Sequence, residues 1–420
     1  MKVLSLYTGA GGLDYRFEAA GFDVCVAVDS DVDSCETIRR NRSWSVINAP
    51  IRSVLGGMLL QKAGVRRGNA DVLIGGPPCQ PFSKSSYWVN GDSMRLEDPR
   101  ADTLYAFMDA IDKFLPKVFL LENVHGLSYS GKEEGILLIE KMTRAINKRA
   151  NVKYALSWKV LNTANYGVPQ TRERFFLVGQ REGACFVFPK STHSGCLSAT
   201  GLPMSYSEND GFLPFATAWD AIGDLTPSAV EDLAVRGRWA RLLPSIPEGE
   251  NYLWHTNRKS GLPLFGWRTR YWSFLLKLAK NRPSWTIQAQ PGPNVGPFHW
   301  KNRRLSVDEM SRLQTFPRRL VFHGGRVSVQ RQIGNAVPSL MAEILAREIA
   351  SQFFDVRPTG EPKLLVKPRR PIPHPEAPEP VPPDFLRFVG KHPAHPGEGK
   401  GRRAASRQPS GRQQKQQSLL

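Results

Sequence analysis

The chain is 420 residues long, enough for more than one hydrophobic core. Its apolar share, 41 %, is that of a globular protein, and the lack of any apolar run of roughly 18 residues excludes a helical membrane span. The formal net charge of +19 points to a polyanionic partner such as nucleic acid, although a plain solvated basic surface would give the same total. Five cysteines, an odd number without paired spacing, argue against a disulfide framework and against a zinc site. The N-terminal MKVLSLYTGAGG lacks signal-peptide anatomy, so a reducing, cytoplasmic setting is expected.

Val3–Leu6 is the first continuous apolar run and reads as a buried strand. It feeds Tyr7-Thr8-Gly9-Ala10-Gly11-Gly12-Leu13-Asp14 and then a helix over Phe17–Ala20. Glycines in such a turn let a ligand approach the backbone at a helix N-terminus. A dinucleotide fingerprint needs a third glycine where Asp14 stands, so a nucleoside suits the turn better than a pyrophosphate. By itself the segment is equally a tight turn. The second strand, Val24–Val28, ends on Asp29, a position that binds ribose hydroxyls in such folds. Ser34–Arg40 reads as the next helix.

Strand Val72–Ile74 runs directly into Gly75-Gly76-Pro77-Pro78-Cys79-Gln80-Pro81-Phe82-Ser83. Cys25, Cys35, Cys185 and Cys196 read as small buried apolar residues. Cys79 differs, because it sits in a loop stiffened by three prolines at the carboxyl end of a strand, where open α/β sheets place their ligands. There a thiolate can be held in attack geometry at low entropic cost. Helix Leu104–Phe114 and strand Val118–Leu121 follow, and the strand delivers Glu122-Asn123-Val124 to the same edge. Partial burial would raise the Glu122 carboxyl toward a proton-donating range. A strand pair, Ala155–Leu161 and Phe175–Gly179, brackets Gln170-Thr171-Arg172-Glu173-Arg174. Two arginines two apart on a strand share a face. They can hold a carbonyl or phosphates through forked hydrogen bonds, or simply form a solvated cluster. The whole pattern predicts an α/β fold with a doubly wound, mostly parallel sheet.

Residues 1–181 form the first predicted domain. Over 182–281 Gly, Pro, Ser and Trp are frequent and helical periodicity fades, which predicts a smaller irregular domain. Its Arg236, Arg238, Arg241, Arg258, Arg268 and Arg270 are candidates for base or phosphate contacts. Residues 282–355 regain helical spacing at Ser306–Leu313 and Pro338–Phe354 and are expected to complete the first domain. Residues 356–420 are rich in proline, with thirteen Lys or Arg against five Asp or Glu from 357 onward. With few large apolar residues, they are expected to form a disordered basic tail, dispensable for catalysis from about Pro371.

In this order the motifs resemble the DNA (cytosine-5) methyltransferase family, over roughly residues 3–181 and 282–352. The resemblance is carried by GGPPCQPFS, the ENV triplet, QTRER, the RRLSVDEMSRLQTFP segment ending at Pro317, and Gln332-Ile333-Gly334-Asn335-Ala336-Val337-Pro338. It implies the S-adenosylmethionine-dependent methyltransferase fold, S-adenosylmethionine as cofactor, no metal, and cytosine in double-stranded DNA as substrate. By resemblance Cys79 is the nucleophile that adds to carbon 6 of cytosine. Glu122 is the acid at ring nitrogen 3, and Arg172 and Arg174 stand near the flipped base and its phosphates. The implied cofactor pocket comprises Tyr7, Gly9, Ala10, Gly11, Gly12, Leu13, Asp29, Ser30, Ile51, Pro78, Leu104, Asn335 and Val337. Gln80, Ser83 and Ser85 are the implied contacts to DNA. Residues between QTRER and RRLSVDEM occupy the place of the family's target recognition domain. The chemistry needs these residue types. Carbon 5 of cytosine is a poor nucleophile until a thiolate adds at carbon 6 with proton help at nitrogen 3. The base must also leave the helix to be reached. The compact layout resembles bacterial restriction-modification enzymes, which implies a monomer at the cytoplasmic nucleoid with a cognate restriction endonuclease acting separately. Three positions depart from the family pattern: Asn48-Ala49-Pro50-Ile51 lacks its acidic residue, Ser30 replaces an aromatic, and Tyr7 replaces a Phe.

Other readings compete. A tRNA cytosine-5 methyltransferase would share the core, but the roughly 100-residue recognition region favours DNA, and the Cys-Phe-Thr signature of the RNA-acting relatives is absent. A catalytically silent DNA-binding relative would not need Cys79, Glu122 and Arg174 together. A nicotinamide dehydrogenase would need the missing third glycine.

Overall fold

The computed structural model describes residues 1–55, 57–78, 102–128, 134–195, 211–267 and 272–391. A strand covered on both faces needs apolar side chains at nearly every position, and the short runs of the first third supply them. β1 (Lys2–Leu6), β2 (Asp23–Asp29), β3 (Ser45–Asn48), β4 (Val72–Gly75), β5 (Val118–Val124) and β6 (Ala155–Asn162) are parallel. The two-residue β7 (Gln170–Thr171) pairs outside the sheet with Ser284–Trp285. β8 (Glu173–Gln180) inserts antiparallel between β5 and β6, giving a seven-stranded sheet in the order β3-β2-β1-β4-β5-β8-β6. The fold is therefore doubly wound and mostly parallel, as expected. The chain leaves β1 toward opposite sides of the sheet, and the crevice beyond the carboxyl ends of β1 and β4 is the place such a topology offers a ligand.

Alternation along the strands distributes their side chains between two layers. Leu4, Leu6, Leu73, Phe119 and Leu121 pack into one, with helices Asp102–Phe114 and Glu134–Ala150. Val3, Val72, Ile74, Val118 and Leu120 pack into the other. That second layer is closed by helix Asp14–Ala19 and by helix Ser339–Phe353, nearly the whole length of the chain away. The two helices are joined by a buried Arg16–Glu343 ion pair at 3.4 Å, and Ser339 Oγ donates to the Gly12 carbonyl at 3.2 Å. Helix Val307–Leu313 starts on a capping box between Ser306 and Glu309. Helices Glu134–Ala150 and Arg326–Asn335 and strand β3 fall outside the expected set. In Arg326–Asn335 only Val329 and Ile333 bury large apolar side chains, too few to announce a helix by spacing.

The irregular region owes its weak periodicity to short 3₁₀ turns, Ala240–Ser245 and Tyr252–His255. It nonetheless builds an apolar core. Trp239, Leu242, Leu243, Tyr252, Phe265 and Phe274 bury against one another with edge-on aromatic contacts.

The expectation of a disordered tail is corrected over its described part, residues 357–391. Leu364 and Leu365 pack on the second layer, Val366 on a third cluster around Ile222 and Trp300, and Phe385 is buried to 4 % exposure against Trp239. Counting apolar residues underestimates such a segment, because a few well-spaced side chains suffice when the body offers them seats.

Asp14 lies beneath the glycine turn and is fully buried; burial, only partly offset by Ser5 and its own backbone N–H, pushes its carboxyl up to about 7. The folded state then holds a proton that the unfolded state releases, so Asp14 costs stability as pH rises from the ordinary carboxylate range to that value. Asp14→Asn should flatten the decline of Tm between about pH 4 and about pH 7. A decline as steep as that of the wild type would show that Asp14 is not the group responsible.

Candidate active site

The glycine turn after β1 is built from left-handed backbone. Gly9 and Gly11 have φ of 55° and 82°, and Tyr7 itself sits at 55°. Closeness adds a second reason for glycine: a Cβ on Gly12 would lie 2.9 Å from the Val337 carbonyl oxygen. The turn is tied to the end of β2 by Gly9 N–H, which donates to Asp29 Oδ2 at 2.8 Å, while Asp31 N–H donates to Oδ1 at 2.8 Å. Burial raises the Asp29 carboxyl and these donors pull it back down. A carboxylate offers about four lone-pair sites, so these donors do not exhaust it.

Above this turn opens a cavity of about 640 Å³, within the range of ligand pockets. Tyr7, Gly9, Ala10, Gly12, Leu13, Asp29, Ser30, Ile51, Pro78, Asn335 and Val337 all line it. Gly11 and Leu104 do not: Gly11 is buried against the Tyr15 ring, and Leu104, 2 % exposed, belongs to the first core layer. Arg52, Asp102, Thr103 and Arg331 also line the cavity without having been anticipated. Arg52 and Asp102 clasp across the rim, with Nη2 to Oδ1 at 2.6 Å, a pairing between two helices that no local motif announces.

The other end of the cavity is acidic and basic together. Glu122 lies near the carboxyl end of β5 and is paired with Arg174 Nε at 3.0 Å, both side chains largely buried. The register explains the meeting: Glu122 lies opposite Phe176 in the antiparallel pair, so Arg174 is its diagonal neighbour on the same face. Burial raises the Glu122 carboxyl above its ordinary value, while the positive charges of Arg174 and Arg172 oppose the rise. Arg172 is 1 % exposed, and its guanidinium donates to the Gly334 carbonyl at 2.7 Å and the Ile287 carbonyl at 3.4 Å. It thus ties the QTRER segment to the returning chain at the cavity wall.

The proline loop is held on both sides before it reaches Cys79. Asn123 Nδ2 donates to the Pro77 carbonyl at 3.2 Å and Thr103 Oγ1 to the Pro78 carbonyl at 3.0 Å. Gly76 is required by proximity, because a Cβ there would lie 2.8 Å from Glu122 Oε2. Cys79, Gln80, Ser83 and Ser85 lie outside the described residues, as do Arg268 and Arg270. Cys79 is the direct neighbour of Pro78, which lines the cavity. Of the other cysteines, Cys35 is buried, whereas Cys185 is exposed and Cys25 half-buried; Cys196 lies outside the described residues. Arg236, Arg238, Arg241 and Arg258 are all exposed, and each already has a partner. Arg236 pairs with Asp232 at 2.6 Å, Arg241 with Asp384 at 3.2 Å, and Arg238 and Arg258 stack on Trp239 and Trp267.

Comparison with known proteins decides what this cavity belongs to. A family model described as C-5 cytosine-specific DNA methylase matches residues 1–351. The chain belongs to this family. It is a DNA cytosine-5 methyltransferase, and members of the family take their methyl group from S-adenosylmethionine. Type II methyltransferase M.SacI of Streptomyces achromogenes is 37 % identical over 392 residues, covering 86 % of this chain and 96 % of its own. M.NgoFVII of Neisseria gonorrhoeae, another type II methyltransferase, is 32 % identical, with 84 % and 87 % covered. The crystal structure of a DNA modification methyltransferase encoded within an E. coli prophage shares the fold at TM-score 0.56 and 20 % identity, over 85 % of this chain and all of that one. No helix among the described residues is long and apolar enough to cross a membrane.

In a methyltransferase the Gly76–Glu122 contact has a direct consequence. Gly76→Ala should force the loop or the carboxyl to move by about 1 Å and lower kcat on the order of 100-fold. Tm should change little, because the added methyl faces the cavity. Wild-type turnover in this variant would contradict the close approach.

Proposed function

We propose that the protein methylates carbon 5 of a cytosine flipped out of a specific double-stranded DNA sequence, through a transient covalent bond to Cys79. The observation that supports it most is the buried Glu122–Arg174 pair, 3.0 Å apart, at the cavity end where Pro78 leads into Cys79. Tyr7, the Gly9–Gly12 turn, Asp29, Ile51, Asn335 and Val337 would hold the cofactor, and the glycine cradle and the spare lone pairs of Asp29 fit a nucleoside with ribose hydroxyls. When bound, S-adenosylmethionine supplies an electrophilic methyl group on a sulfonium. The Cys79 thiolate adds to carbon 6, and Glu122, kept protonated to higher pH by burial, shares its proton with ring nitrogen 3. The electron pair released to carbon 5 takes the methyl group. Loss of the carbon 5 proton then expels the thiolate and restores the ring. Arg174 holds the Glu122 carboxyl in place and limits the rise in its proton affinity, which keeps the proton transferable.

Residues 182–281 are proposed to read the target sequence, with the basic body attracting the duplex. A monomer at the nucleoid, with a cognate endonuclease acting separately, fits the type II relatives. Duplex DNA is favoured over tRNA because the matching family model is that of DNA methylases. Duplex DNA with cytosine replaced by 5-fluorocytosine should trap the enzyme in a denaturation-resistant, cofactor-dependent complex, since fluorine does not leave carbon 5 as a proton does. Cys79→Ala should form none. A wild-type yield of complex from Cys79→Ala would contradict the covalent step.

A further inference from the structure

Residues 357–391 follow the segment that the family model matches, 1–351, yet they run across three of the four apolar clusters found among the described residues. They are fixed first on the catalytic side. Lys363 N–H donates to the buried Glu343 carboxylate at 2.7 Å, and Leu364 and Leu365 pack on the layer that covers the sheet. The chain then reaches helix Ala218–Ile222, where Arg369 N–H donates to Asp220 Oδ1 at 2.6 Å and Arg370 pairs with the same carboxylate at 3.1 Å. Further on, Lys280 Nζ donates to the His374 carbonyl at 3.2 Å, Glu376 N–H to Glu248 Oε1 at 3.0 Å, and Glu379 N–H to the Pro244 carbonyl at 3.1 Å. The end is fixed in the core of the irregular region. Phe385 stacks on Trp239 with ring centroids 5.6 Å apart and planes 26° apart, and Gly390 N–H donates to the Pro263 carbonyl at 3.2 Å.

We infer that this segment is a strap that sets the position of the irregular region against the catalytic sheet and presents Arg238 and Arg241 to the DNA. The inference rests on the reading of residues 182–281 as the recognition region. Two of that region's exposed arginines are held by strap side chains: Arg241 by Asp384 at 3.2 Å, and Arg238 over the Phe388 ring at 5.5 Å. An exposed ion pair adds little stability, so these contacts orient the arginines rather than hold the fold together. A strap anchored at both ends removes relative motion before DNA arrives, and binding then loses less entropy.

One variant keeps both anchors and slackens what lies between them, and a second loosens the far anchor. Six Gly and Ser residues are inserted between Lys367 and Pro368 of the full-length enzyme, and Phe385→Ala is made separately. Each should raise the KM for duplex DNA about tenfold. Both should also relax discrimination between target and near-target sites, while the Kd for S-adenosylmethionine and kcat at saturating DNA stay within about twofold of wild type. Wild-type KM and discrimination in the insertion variant would overturn the proposal. So would parallel loss of cofactor binding and DNA binding in both variants, which would make the segment part of the catalytic fold. Arg258→Ala, remote in sequence from the strap, tests the underlying reading: if it leaves DNA affinity and site choice unchanged, the recognition assignment fails. A slackened strap that still alters KM would then concern DNA binding at large.

Discussion

A carboxylate leaves water at a high cost unless a cation or hydrogen-bond donors replace the solvent, and the architecture around Glu122 is organised by that constraint. The replacement is Arg174 at 3.0 Å, which requires β8 to run antiparallel beside β5 so that the two side chains meet diagonally. The same carboxyl leaves no room for a side chain at residue 76, so the loop that carries Cys79 starts on a glycine and is then stiffened by prolines. Asn123 and Thr103 hold the carbonyls of those prolines, so the strand that supplies the acid also positions the loop beside it. One buried charge thereby links strand order, residue choice and site chemistry.

The cofactor side obeys a different constraint, the close approach of backbone to backbone. Gly12 faces the Val337 carbonyl and Ser339 bonds the Gly12 carbonyl, so the cavity floor is finished by residues far along the chain from the turn they meet. Arg172 repeats the pattern at the other wall, bonding the Gly334 and Ile287 carbonyls. The cavity is thus a joint between the first and last parts of the family domain, and neither part alone encloses it.

Much of this is legible in the sequence because its signals are local. Continuous apolar runs mark the strands, and the glycine and proline motifs at their carboxyl ends mark the site. What stays hidden depends on partners distant in sequence. Spacing predicts one shared strand face for Arg172 and Arg174, but Arg172 stands in the break between β7 and β8 and meets the return segment, while Arg174 meets a buried carboxyl. Leu104 matches a pocket position by motif, yet it is buried in the core layer. The Arg52–Asp102 clasp joins two helices through residues unremarkable in their own stretches. The tail reads as disordered because its few apolar residues look stray until Trp239 is seen to receive Phe385, and the layer over the sheet Leu364 and Leu365.

Methylation of carbon 5 of cytosine at one duplex sequence leaves its mark in the cell, because a plasmid that encodes the enzyme is its own substrate. Bisulfite sequencing of that plasmid after expression, with chromatography of its nucleosides, tests this methylation most directly. The expected result is 5-methylcytosine in the digest and complete protection of one cytosine within every copy of a single short sequence. Unprotected cytosines throughout, or a modified nucleoside other than 5-methylcytosine, would contradict it.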